Sequence, residues 1–281
     1  IRRVSIFSLP LFILLLTYII LDPFKVLYKY DNYYLDTCIS KNRDFVTSET
    51  FFRNVGKYDY DSFIFGASTA LFVPPSIWGK HINTSNPIFS FDASSENIVG
   101  IWSKIKYIHT HNIQLKNVLL VFDTGVTFDR FNNQGHVFMK HYDVYKSSKL
   151  KFHYESFLSF LNFNFLVSLV HYKISGEFHQ YMDGVLDNSQ MKFDLITNEL
   201  IYSNAMEELK MDSLKYYEEH QKFFIERSRL PTSINSQINT DYIIKLNEIN
   251  DIFKNDGTNF RIIIVPLYNQ ISFNDNDLAI L

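Results

Sequence analysis

Four short apolar runs, each continuous rather than alternating, restrict this chain more than any other feature. Residues 61–65 (DSFIF) end at Gly66, residues 87–91 (PIFSF) form a second run, residues 117–122 (NVLLVF) end at Asp123, and residues 260–265 (FRIIIV) form the fourth. Runs rich in β-branched and aromatic residues and bounded by turn formers are how strands buried on both faces read, which predicts a parallel sheet. The first three start 26 and 30 residues apart (61, 87, 117), room for a strand and one crossover helix. Residues 96–111 supply such a helix, with Ile98, Ile101, Trp102, Ile105 and Ile108 at three- and four-residue spacing, and residues 242–253 supply another. The expected fold is α/β: a three-layer sandwich with helices on both faces of the sheet.

Roughly 135 residues separate the third and fourth runs and break this rhythm. With helical stretches at 155–172 and 204–227, they read as a mostly helical insertion at about 130–238. It emerges either at the carboxyl edge of the sheet, where ligands bind in such folds, or as a packing elaboration without a ligand role. Residues 24–57 read as a polar, aromatic connector that includes a short helix, and 58–281 as the α/β domain.

Charge and composition narrow the partners. With 27 Lys+Arg against 30 Asp+Glu, the net charge of -3 leaves no basic surplus for a polyanion, so nucleic acid is not an expected partner. At 46% hydrophobic and 20% charged residues the chain has enough apolar surface to fold. The single cysteine, Cys38, excludes an intrachain disulfide and cysteine-rich zinc sites. No phosphate-binding glycine loop, dinucleotide fingerprint or metal-ligand spacing is present, so no cofactor and no metal are expected.

Residues 4–21 (VSIFSLPLFILLLTYIIL) run 18 residues without a charge, roughly 27 Å of helix. Arg2 and Arg3 precede them, and Leu21-Asp22-Pro23 is a poor cleavage site, so residues 1–23 read as an uncleaved transmembrane signal anchor rather than a buried core helix. Lys25 and Lys29 beyond the span offset the two arginines, and the reading adopted is a cytoplasmic N-terminus, with the domain outside the cytoplasm.

In an open parallel sheet the reacting groups sit just past the carboxyl ends of strands. The first run is followed by Gly66-Ala67-Ser68-Thr69-Ala70, a small-small-Ser turn that puts a hydroxyl beside free backbone N–H groups. Ser68 is therefore either a nucleophile or a plain helix cap. YDSFIFGASTA, the second run ending Phe91-Asp92-Ala93-Ser94-Ser95, and VLLVFD ending at Asp123 together resemble the SGNH (GDSL-like) hydrolase superfamily. The likeness is to its membrane-anchored bacterial branch, related to alginate O-acetyltransferases and the D-alanyl transfer protein of teichoic acid synthesis. It covers nearly the whole chain in layout, and its one sharp motif is the five residues around Ser68.

That resemblance implies Ser68 as the catalytic nucleophile. It also implies a cleft and oxyanion hole involving Gly66, Ala93, Ser94 and Asp123, with a cell-surface polysaccharide or an acyl donor protein as partner. The family's Gly after the second strand is replaced by Ala93-Ser94, and its Asn after the third by Asp123, which cannot donate a hydrogen bond while ionised. The family's general base is the His of an Asp-x-x-His, a motif this sequence lacks. The expectation is a fragment, beginning at Ile1 and ending at Leu281, whose base lies beyond it; the alternative is a pseudo-enzyme. Gly66-x-Ser68-x-Ala70 falls one residue short of the α/β-hydrolase elbow, and no strand precedes it as that fold requires. His136 and His141 read as surface or packing residues. Lys140, Lys146, Lys149 and Lys151 form a basic stretch that is either a solvated face or a contact for acidic glycan or lipid headgroups.

Overall fold

Every residue of the first three strands is buried, and the alternation of their side chains divides the protein into layers. The computed structural model describes residues 2–35, 38–129, 134–221, 232–265 and 271–281. In chain order it contains α1 (Arg2–Leu21), α2 (Arg43–Asn54), β1 (Ser62–Gly66), a 3-10 turn (Ser68–Phe72), α3 (Pro75–Ile82), β2 (Ile88–Asp92), α4 (Ile98–Thr110) and β3 (Asn117–Phe122). The insertion follows: α5 (Lys149–Phe160), α6 (Phe163–Ser175), β4 (Lys192–Phe193), β5 (Leu200–Tyr202), α7 (Asn204–Met211) and α8 (Ser213–Glu219). Then come β6 (Thr232–Ser233), α9 (Thr240–Asp256), β7 (Asn259–Ile264), β8 (Ile271–Ser272) and α10 (Asp275–Ile280).

The main sheet has the order β2-β1-β3-β7, all parallel, with Gly66 level with Asp92 on one side and Val121 on the other. Phe63, Phe65, Phe89, Phe91, Val118 and Leu120 point to one face, where they meet Phe51 of α2, the isoleucines of α4 and Phe253 of α9. Ile64, Ile88, Leu119 and Val121 point to the other, covered by the 3-10 turn and α3 through Ala70, Trp78 and Ile82. The chain moves from β1 outward to β2 by α3 and back across β1 to β3 by α4. A right-handed crossover in each direction puts those two helices on opposite faces. The α/β class, the parallel sheet and the layering are thus as expected.

A second core lies beside the sheet. Tyr18 of α1, Phe24, Tyr33, Phe45 of α2, Tyr142, Phe152 and Phe160 of α5, and Phe165 and Leu169 of α6 form one buried aromatic cluster. Helix α2 contributes to both cores, so the segment 24–57 is packed into the structure and does more than connect.

Three expectations change. The fourth run forms β7, but among the described residues it is an edge strand, with Ile263 and Ile264 each 39% exposed: there β3 flanks one side only, and α9 covers one face through Phe253 against Phe260. The helix expected over 155–172 breaks at Leu161 and Asn162, because the Asn162 side chain accepts the Phe165 N–H and starts a new helix. The helix expected over 204–227 is α7 and α8, split at Asp212, whose carboxylate caps α8; residues 222–227 lie outside the described residues. Helix α1 contains the whole of residues 4–21, and among the described residues no single helix is long and apolar enough to cross a membrane.

Candidate active site

Gly66 decides how closely the turn after β1 can approach its neighbours. A Cβ there would sit 2.7 Å from the Val121 carbonyl oxygen and 3.0 Å from the Ala70 methyl, so only glycine lets the 3-10 turn fold back onto the end of β3. Ala67 is buried and Ser68 emerges exposed, at the carboxyl rim of a strand with neighbours on both sides. Ser68 lines a cavity of about 240 Å³ together with Asp92, Ala93 and Ser94 from the end of β2. Arg43, Tyr34 and Phe193 also line it.

The site residues read from sequence divide three ways. Ser68, Ala93 and Ser94 meet in the cavity. The Ala93 N–H, however, extends the ladder by donating to the Gly66 carbonyl (3.3 Å), whereas the Ser68 and Ser94 N–H groups make no hydrogen bond among the described residues. Gly66 shapes the turn from beneath. Asp123 closes its own turn instead: its Oδ1 accepts the Gly125 N–H at 2.8 Å and its N–H donates to Thr127 Oγ1 at 2.7 Å, and it does not line the cavity. Ser68 and Ser94, unlike Asp123, thus combine a place in the cavity lining with an unpaired main-chain N–H among the described residues.

Sequence reading missed the charged groups of the wall. Arg43, the first residue of α2, grips Asp92 with Nε to Oδ2 at 3.1 Å and Nη2 to Oδ1 at 2.6 Å. Its guanidinium lies 3.9 Å over the Phe193 ring and donates to the Tyr34 hydroxyl, while Asn198 Nδ2 donates to Asp92 Oδ1 at 3.1 Å. Burial pulls the guanidinium pKa down, and Asp92 more than offsets it, so the net shift is upward and the guanidinium stays charged. Burial also pushes the Tyr34 phenol up, which keeps it a hydroxyl.

The next residue of α2 makes a second set of ion pairs. Asp44, Glu96, Lys104 and the partly exposed Lys140 form a neutral quartet. Lys104 contacts Glu96 and lies 3.4 Å from Asp44, and Lys140 is 2.6 Å from Glu96 and 3.6 Å from Asp44. The Tyr145 hydroxyl donates to Asp44 at 3.0 Å. Burial raises the Asp44 carboxyl pKa, but Lys104 and Lys140 overcome it, leaving it well below the usual carboxylate range; for Lys140, burial is outweighed by Glu96 and Asp44 and the pKa rises. Glu96 fits only because residue 100 is glycine, since a Cβ there would lie 1.6 Å from Glu96 Oε1. The β2–α4 loop that carries Ser94 is thus clamped to α2 at Asp92 and at Glu96, which holds the cavity wall in place.

The two histidines face elsewhere. His141 is fully buried; its Nε2 pairs with Glu49 at 3.1 Å and its Nδ1 accepts the Asp143 N–H at 3.2 Å. His136 stacks on Phe24 and its Nε2 donates to the Ser40 carbonyl at 2.9 Å, with burial lowering its pKa. Both are packing residues. Among the described residues no histidine lines the cavity, and no group of three or more His, Cys, Asp or Glu is placed to hold a metal ion.

The fold and the cleft define the class: a parallel α/β domain with an exposed serine at the carboxyl rim of an interior strand. No family model, no curated protein and no solved structure matches this chain.

Proposed function

We propose that the chain is an SGNH-like serine acyl transferase or esterase acting on cell-envelope polysaccharide, with Ser68 as the nucleophile. One observation carries the reading: the Ser68 side chain is exposed, on an interior strand, in a cavity that combines an apolar wall with polar groups. Such a mixture suits an acylated sugar, the acyl chain against Phe193 and Met191 and the sugar hydroxyls toward Ser94. Attack by Oγ on the acyl carbonyl makes an ester on Ser68 and releases the donor alcohol. Water or a sugar hydroxyl then takes the acyl group, and this choice separates hydrolysis from transfer. In this reading α1, which exposes Leu9, Phe12, Leu16 and Ile20, is a single-pass anchor that keeps the domain at the outer face of the membrane.

A second reading is a catalytically silent SGNH-like scaffold that binds glycan or a partner in a polysaccharide export or modification complex. The lack of a histidine among the described cavity residues favours it. Two measurements separate the readings: acetyl-ester turnover by the full-length protein, and a fluorophosphonate mass adduct at Ser68. The enzyme reading expects both, with Ser68→Ala abolishing them in a folded protein. A wild-type protein without turnover or adduct leaves the scaffold.

A further inference from the structure

Helices α5 and α6 carry apolar side chains on two faces each. Their inward faces, Phe152, Ser156 and Phe160 on α5 and Phe165, Ser168 and Leu169 on α6, fill the second core. Their outward faces carry a second apolar stripe: Leu150, Tyr154 and Leu158 on α5, with exposures of 82, 59 and 47%, and Phe163, Val167, Val170 and Ile174 on α6 at 76, 44, 55 and 81%. The spacings of four on α5 and of four, three and four on α6 align each set along one side of its helix. Single exposed apolar residues are ordinary on protein surfaces; stripes at helical period are not.

We infer that α5 and α6 form a re-entrant membrane element whose outward faces sit in the interfacial layer of a bilayer containing anionic lipid. Three observations select lipid as the occupant. The two helices, bent by 68° at a short break, together meet the length and apolarity of a broken span or a re-entrant loop, though neither does alone. Segment 146–175 carries Lys146, Lys149, Lys151 and Lys173 against Glu155, a local charge of +3 (four minus one) on a chain of net -3. Basic residues flanking an apolar helical face suit anionic headgroups. The third is continuity with α1: Tyr18 packs on Phe157 and Phe160 of α5, at ring distances of 5.4 and 5.2 Å, so the anchor and the elbow share one core.

The geometry also limits the depth. Helix α5 has 12 residues and α6 has 13, so each is about 18–20 Å long, and Phe160 and Phe165 on either side of the bend are held in the protein core. The elbow therefore lies in the interface instead of spanning, with Phe163 as its leading side chain. This extends the anchor reading of α1 and rests on none of the chemistry assigned to Ser68.

The test uses the full chain in phosphatidylcholine–phosphatidylglycerol vesicles, with Cys38→Ser and one new cysteine at a time carrying an environment-sensitive fluorophore. Phe163→Cys and Val170→Cys report the elbow, Phe12→Cys reports α1, and Met211→Cys, on exposed α7, reports solvent. The expected result is several-fold stronger quenching by tail-brominated lipid at 163 and 170 than at 211. Quenching at 12 with none at 163 and 170 overturns the inference and leaves the anchor reading intact. A blue-shifted but unquenched signal at 163 and 170 also overturns it, since the stripe would then be covered by a second copy or another protein.

Discussion

Phe63, Phe65, Phe89 and Phe91 in the sheet core and Tyr18, Phe152, Phe160 and Phe165 in the second core are aromatic clusters of similar make-up with different outer surroundings. On β1 and β2, both faces are covered by the chain's own helices. On α1, α5 and α6 one face is buried while the other carries large apolar residues in the open. The first region is complete within the described structure. The second has the composition of a core and the geometry of a surface, so it holds the molecule together on one side and offers a docking face on the other.

The most severe way to probe that contrast is truncation of both cores. Phe65→Ala and Phe160→Ala, each at a side chain 1% exposed or less, should each cost about 3–5 kcal/mol in chemical denaturation. A loss at Phe160 far below that at Phe65 would show the second core to be an appendage. Next, Lys104→Met leaves Asp44 and Glu96 with Lys140 alone and should cost about 3 kcal/mol, since removing one partner strands buried charge. A neutral outcome would mean that the quartet does not fix the β2–α4 loop.

The same quartet sets a pH dependence of smaller size. The folded carboxyl of Asp44 lies below its unfolded value, so its contribution is complete above about pH 4 and is lost as the pH falls from there. Lys140, shifted upward, contributes fully below about pH 10 and loses its contribution as the pH rises through its folded value. Stability profiles of the wild type and Asp44→Asn should therefore diverge most at neutral pH and converge in acid; parallel profiles would refute the assignment. The smallest effect sharpens the comparison most: Ile174→Ser, at a position 81% exposed, should change stability in detergent-free buffer by less than about 0.5 kcal/mol. A larger loss would make that stripe part of the fold.

Much of the framework was legible because its signals are local. The runs at 61–65, 87–91 and 117–122 correspond within a residue to β1, β2 and β3, and the isoleucine spacing of 96–111 to α4. Gly66-Ala67-Ser68 could be placed at a strand end for the same reason. The rest of the site was not legible, since Arg43 and Asp92 are 49 residues apart and Arg43 sits in a segment that reads as a connector. Asp44, Glu96 and Lys104 look like ordinary surface charges until α2 and α4 bring them together. Asp123 looked like a cleft residue because sequence shows where a strand ends but not that the carboxylate then turns back to cap Gly125.

The amino-acid sequence by itself determined the parallel α/β class, the strand ends and the position of the Ser68 turn, because apolar periodicity and turn chemistry act over a few neighbouring residues. Only the tertiary structure decided that the fourth strand lies exposed at an edge among the described residues, that Arg43 and Asp92 wall the cavity, and that α5 and α6 turn an apolar stripe outward. Those outcomes depend on which side chains meet across tens of residues, and burial and charge pairing are properties of that meeting.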